Sequence, residues 1–158
     1  MHRGSKGSVR RERGCLLRRC RLPAEDLGGP FDAICSALSI HHLEREGKRE
    51  LYQKVFGALK PGGVFVNADQ VEGETPGLHR RNLAYWNDFV LQGPLDPEEI
   101  QAMFERRKTY DRMEKLSLQL AWLKEIGFSD VDVVYKNRSF AVFTVRKKRR
   151  RDTARSRA

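Results

Sequence analysis

The sequence predicts an α/β fold built on a parallel strand–helix–strand unit, and three features carry that expectation. "FDAICSA" (31–37) and "VFVNA" (64–68) are apolar runs of strand length, short enough to be strands buried on both faces. Between them the period becomes helical, with Leu51, Tyr52, Val55 and Leu59 on one face. Near the end, "VDVVY" (131–135) and "FAVFTV" (140–145) are separated by four residues, a link that forces an antiparallel hairpin.

Taken in order, residues 1–22 show neither helical nor strand periodicity and read as a basic irregular segment. "PAEDLGGP" (23–30) is a turn-rich lead into the first apolar run. The helix expected from Glu44 leaves Glu46, Lys48, Arg49 and Lys54 for solvent, and Pro61-Gly62-Gly63 stops it. A crossover of this length makes the flanking strands parallel and the connection right-handed. Thr75-Pro76 then opens a helix over "GLHRRNLAYWNDFVLQG", with proline at the first helical position. Asp96-Pro97-Glu98-Glu99 repeats the device: a capping aspartate, proline, then two carboxylates near the positive helix end. A further helix carries Leu116, Leu120 and Leu123 at core spacing, with Trp122 also assigned to the core. It ends at Gly127, where Phe128 is placed to pack back over the last turn. No internal repeat is present.

A length of 158 residues suits one domain, with a body over 23–145 between basic ends. Residues 1–22 hold eight Lys/Arg against Glu12, and residues 146–158 hold eight against Asp152. The net charge of +10 therefore belongs to the ends, and the body carries an acidic excess. Arginine-rich tails suit RNA or another anionic surface, because phosphate neutralisation dominates non-specific affinity. They equally suit a solvated, disordered pair of ends, and neither tail interleaves aromatic residues for base stacking. Cys15, Cys20 and Cys35 are odd in number and lack metal-ligand spacing, which points to free thiols in a reducing compartment. No apolar stretch approaches the ~18 residues of a membrane span, so the expected location is cytoplasmic.

The order of these elements, together with "FDAICSALSIHHL" (31–43), "LKPGGVFVNAD" (59–69) and "QLAWLKEIGFSDVDVVYKNRSFAVF" (119–143), resembles the second half of a class I S-adenosylmethionine-dependent methyltransferase. Phe-Asp opening the fourth strand, Lys-Pro-Gly-Gly before the fifth and Gly-Phe before the sixth are that family's landmarks, and here they occur in order. The resemblance covers about residues 24–145. Its last part is similar to the branch containing wobble-uridine tRNA methyltransferases. It implies a partial Rossmann-like sheet of strands 4, 5, 7 and 6 closed by the antiparallel hairpin.

In such open α/β sheets ligands sit beyond the carboxyl ends of the strands. The resemblance implies S-adenosylmethionine as cofactor, with Ser36, Ala37 and Leu38 near its methionine part. It also implies methyl transfer to an acceptor, a small molecule or tRNA. Such a displacement rests mainly on holding two atoms close and in line. His41 and His42 are candidate bases for an acceptor that arrives protonated, or they merely line the strand end. Asp69 is a candidate substrate contact or a turn-forming residue. His79, Tyr85 and Trp86 lie on the helix that covers the pocket in relatives, as a substrate lid or as core. No metal site is expected, since adjacent histidines rarely converge on one ion and no third ligand stands near them in sequence.

The family's cofactor site is built largely from an N-terminal half that this sequence does not display. "GSKGS" (4–8) has glycines, but no apolar strand precedes it and no amphipathic helix follows. The run 31–37, central in the family's sheet, is then expected at an edge, an aggregation hazard unless covered. Three readings stay open: a truncated copy or incorrect gene start, a partner chain that covers the exposed strand, or a non-catalytic module that binds RNA through its tails.

Overall fold

The computed structural model describes residues 9–12, 15–18 and 26–149. The calls on the extreme termini, including most of the 146–158 tail, lie outside the described residues. Two short strands, β1 (Val9–Glu12) and β2 (Cys15–Arg18), pair antiparallel. The sequence reading of 1–22 as irregular is corrected there. Four residues per strand are too few for alternation to show, while the two-residue spacing with Gly14 suits a hairpin.

The body is a four-stranded sheet in the order β3-β4-β6-β5. Here β3 is Phe31–Ala37, β4 Leu59–Gln70, β5 Phe128–Asn137 and β6 Phe140–Lys147. The β3–β4 pair is parallel, joined through helix α1 (Arg45–Ala58), and β6 runs antiparallel to both β4 and β5. This is the expected order of parallel unit and hairpin. Helices α2 (Pro76–Leu91), α3 (Pro97–Tyr110) and α4 (Leu116–Ile126) fill the long connection between β4 and β5.

One face of the sheet carries the core. Phe65, Ala141, Phe143 and Val145 pack against Leu51, Tyr52 and Val55 of α1 and Leu116, Trp122 and Leu123 of α4. Along β4, Phe65, Asn67 and Asp69 are buried, whereas Val64, Val66 and Ala68 on the other face are only half-buried. That alternation is the period-2 signature of a strand covered on one side. No residue of β3 is fully buried, which corrects the expectation of a strand buried on both faces. Among the described residues β3 has a neighbour along one edge only.

Two further expectations change. Helix α1 stops at Ala58, ahead of Pro61-Gly62-Gly63. That turn instead lies inside β4, as an irregularity between the Phe31–Leu59 and Ala33–Val64 pairs, with Gly62 at φ 85°. Lys48 does not face solvent. It is 1 % exposed, and its Nζ donates to the carbonyls of Leu43 and Arg112. Burial pushes this ammonium below its usual range, against the opposing pull of Glu114, Asp69 and Glu44.

The helix boundaries follow the sequence closely. Thr75 Oγ1 accepts from Leu78 N at 3.2 Å, and Asp96 and Glu99 complete a reciprocal capping box. Gly127 ends α4 at φ 113°, its N–H bonded to Lys124 O at 3.0 Å, and Phe128 returns to the core. Gly127→Ala places a Cβ where L-residues are strained. It is expected to destabilise by about 1–3 kcal/mol, read as a lower urea midpoint; an unchanged midpoint would show that the cap does not depend on glycine.

Candidate functional site

The site forms where β3 and β4 end. After Ala37 the chain leaves the sheet through Leu38, which has φ 49°, is 56 % exposed and donates its N–H to Ala68 O at 2.9 Å. A single 3-10 turn, Ile40–His42, follows. Its start lacks a side-chain cap of its own, and the last inward-facing residue of β4 supplies one instead. Asp69 Oδ2 accepts from the backbone N–H groups of Ile40 (2.9 Å) and His41 (3.0 Å). Asp69 Oδ1 receives His41 Nδ1 at 2.5 Å and Gln70 N at 2.9 Å.

Asp69 and His41 are both 4 % exposed. A buried carboxylate so surrounded is a strong positioning device, since hydrogen bonds to an ionised acceptor are the short, strong ones. The sequence offers Asp69 as a substrate contact or a turn-forming residue; in the structure both its oxygens are taken by backbone N–H groups and His41.

His41 and His42 are stacked, with ring centroids 3.9 Å apart and planes tilted by 44°. His42 is 37 % exposed by side chain, and its Nδ1 lies 3.4 Å from Tyr110 O. Sequence reasoning missed the next residue, Asp111, which follows α3. Its Oδ1 lies 3.6 Å from His41 Nε2 and 3.3 Å from His42 Nδ1. The backbone around Asp111 is tied to the histidine turn: Arg112 N donates to His41 O at 2.8 Å, Lys48 Nζ to Arg112 O at 2.5 Å, and Arg112 Nε to Glu44 Oε1 at 2.9 Å. Two carboxylates from separate elements thus bracket the imidazole pair. Their contacts are non-local, and no local spacing signals them.

Helices α2 and α3 flank an open cleft of about 360 Å³ beside Asp111, with Asn87, Phe104 and Arg107 among its walls. Trp86 is half-buried between Phe104 (5.7 Å between centroids) and Arg107, whose guanidinium lies 4.4 Å over the indole. Tyr85 is 47 % exposed beneath Arg138 at 3.6 Å. Tyr85 and Trp86 also line a second hollow of about 220 Å³ against the β5–β6 turn. Neither residue belongs to the sheet core, unlike Trp122, which does. His79 Nδ1 accepts from Gly73 N at 3.4 Å and so ties the start of α2 to the loop after β4. Ser36 and Ala37 close β3, and Leu38 follows at its carboxyl end.

Sheet order, the parallel unit and the closing hairpin define the fold of the class I S-adenosylmethionine-dependent methyltransferases over its strands 4, 5, 7 and 6. Solved structures share it. The methyltransferase SibL in its apo form superposes with a TM-score of 0.54 at 17% identity, over 82% of this chain and 35% of that one. An O-methyltransferase family protein from Burkholderia thailandensis gives 0.53 at 15% identity, over 78% of this chain and 32% of that one. Among curated proteins, the carboxy-S-adenosyl-L-methionine synthase of Staphylococcus epidermidis is 25% identical over 107 residues, 68% of this chain and 47% of that protein. The synthase of Nautilia profundicola is 23% identical over 118 residues, 75% of this chain and 50% of that protein. The chain thus spans about half the length of the curated relatives it matches. No family model matches it. Among the described residues, no helix is long and apolar enough to cross a membrane.

Proposed function

We propose that this chain supplies the acceptor side, and part of the cofactor side, of an S-adenosylmethionine-dependent methyltransferase. The observation that carries the reading is the buried Asp69–His41 pair at 2.5 Å, set at the carboxyl ends of the two parallel strands, where this fold class binds its ligands. S-adenosylmethionine, when bound, supplies an electrophilic methyl group on sulfur. The described residues fit that group in part. Ser36–Leu38 offer a rim at the carboxyl end of β3 for its methionine end, but among the described residues no glycine-rich loop follows a strand. The remainder of the site is assigned to a further segment or a partner chain.

His42 is the proton acceptor. Its Nδ1 faces Tyr110 O and the Asp111 carboxylate; with the ring proton held on that side, Nε2 is the basic atom on an exposed ring. His41 is a positioning residue: Asp69 holds it, and its ring carries His42. As the acceptor's nucleophilic atom would bond to the methyl carbon, the carbon–sulfur bond would break with its electron pair left on sulfur, and the acceptor's proton would pass to His42 Nε2. Asp111 then lies beside the imidazolium so formed. The methyl acceptor, small molecule or tRNA, meets the α2–α3 cleft, where Phe104 and Arg107 offer an aromatic, cationic wall.

The test is a titration of the chain with S-adenosylhomocysteine, followed by amide chemical shifts and by calorimetry. Shifts confined to Ser36–His42 with affinity weaker than micromolar are expected, since only part of the site is present. Micromolar affinity for this chain alone would overturn the incomplete-site reading. Shifts absent from that segment at millimolar ligand would overturn the cofactor assignment itself.

A further inference from the structure

We infer that His41, His42 and Asp111 form a binding site for a single divalent transition-metal ion of the zinc or cobalt class, a second use of residues that the methyl-transfer reading also invokes. The donors are His41 Nε2, His42 Nδ1 and Asp111 Oδ1, mutually within 4.8 Å. Asp111 Oδ1 is 3.6 Å from the first and 3.3 Å from the second. Bonds of about 2.0–2.2 Å in a tetrahedral site put neighbouring donors about 3.4 Å apart, so both distances lie near the edge of such a polyhedron.

The hydrogen-bond geometry points the same way. Asp69 pairs with Nδ1 of His41 at 2.5 Å, which leaves Nε2 as the ring nitrogen facing Asp111. A second imidazole nitrogen converges on the same carboxylate oxygen. Three basic atoms around one point are satisfied by a cation between them. A carboxylate behind a ligating histidine also fixes its orientation and raises its donor strength, which is the position Asp69 occupies.

Two positive groups face the site. Arg107 Nε lies 4.0 Å from Asp111 Oδ2, leaving Oδ1 to the imidazoles. Lys48 is buried behind the turn, its Nζ on backbone carbonyls. The Asp69 and Asp111 carboxylates offset them. With three protein ligands, a fourth position remains, and Asp111 lines the α2–α3 cleft, so that position is reached from there. Two imidazoles and one carboxylate suit zinc, cobalt or nickel over calcium or magnesium.

The experiment uses the full chain, freed of metal with a chelator and titrated with Co²⁺ under reducing conditions, then with Zn²⁺ in competition. One equivalent is expected, with visible bands of a nitrogen–oxygen ligand set and no thiolate charge-transfer band. His42→Gln and Asp111→Asn are each expected to weaken binding at least tenfold. Asp69→Asn, acting behind His41, is expected to weaken it about 10–100-fold. Circular dichroism checks folding, and the exposed position of His42 keeps the test valid if Asp111→Asn is unstable. No saturable binding, a thiolate spectrum, or binding unchanged in the His42 variant would overturn the inference. None of these readouts involves S-adenosylmethionine, so failure here is distinguishable from failure of the methyltransferase reading; metal on His42 Nδ1 and proton transfer to its Nε2 are alternative states of one neutral ring.

Discussion

Asp69→Asn is expected to lower the stability of the chain by about 3–5 kcal/mol, the range for removing one partner of a buried, hydrogen-bonded pair. The volume hardly changes, so the loss isolates the charge. Asp69 accepts from three backbone N–H groups and from His41 Nδ1. An asparagine has one acceptor oxygen, and its amide nitrogen would be turned toward donors. At least one buried donor is then left without a partner, at about 1–3 kcal/mol each. Urea unfolding reads the effect as a lower midpoint at constant slope. A shift under about 1 kcal/mol would mean that the 3-10 turn holds itself, and the anchoring role would be lost with it.

Phe65→Ala is expected to cost a similar amount for a different reason. Phe65 has no exposed surface, and its ring meets Tyr52 at 6.0 Å and Phe143 at 6.1 Å between centroids. Truncation leaves a cavity between the sheet and α1, for which about 3–5 kcal/mol is typical. Phe89→Ala is the internal control. Phe89 is 70 % exposed, and its loss is expected within about 0.5 kcal/mol of neutral. Equal effects at the two positions would mean that the face bearing Phe65 is not the core.

The contrast between these residues shows what the sequence disclosed. Elements whose causes are local were legible: the Thr75 and Asp96 caps, the Gly127 stop, the hairpin forced by its short link, and the parallel unit around α1. Strand order followed from the resemblance carried by three landmarks. What stayed hidden depends on contacts between distant segments. Lys48 falls on the polar side of its helix by periodicity, yet carbonyls from Leu43 and Arg112 take it inside. Asp111 is an ordinary acidic residue in an acidic body until α3 delivers it to the histidines. The burial of β3 was overestimated because an apolar run reports the environment a strand suits, not whether a covering layer is present.

That uncovered strand has a consequence for how the chain behaves in bulk. Among the described residues, the outward N–H and C=O groups of Phe31–Ala37 face no ladder partner. The lone carboxylate on this ribbon, Asp32, is matched by Lys60 Nζ at 2.8 Å, so no gatekeeping charge repels an incoming segment. Protein concentration therefore becomes a structural variable for this chain. Unless another segment lies over it, dilution leaves this edge to water and crowding favours its pairing with other extended backbone.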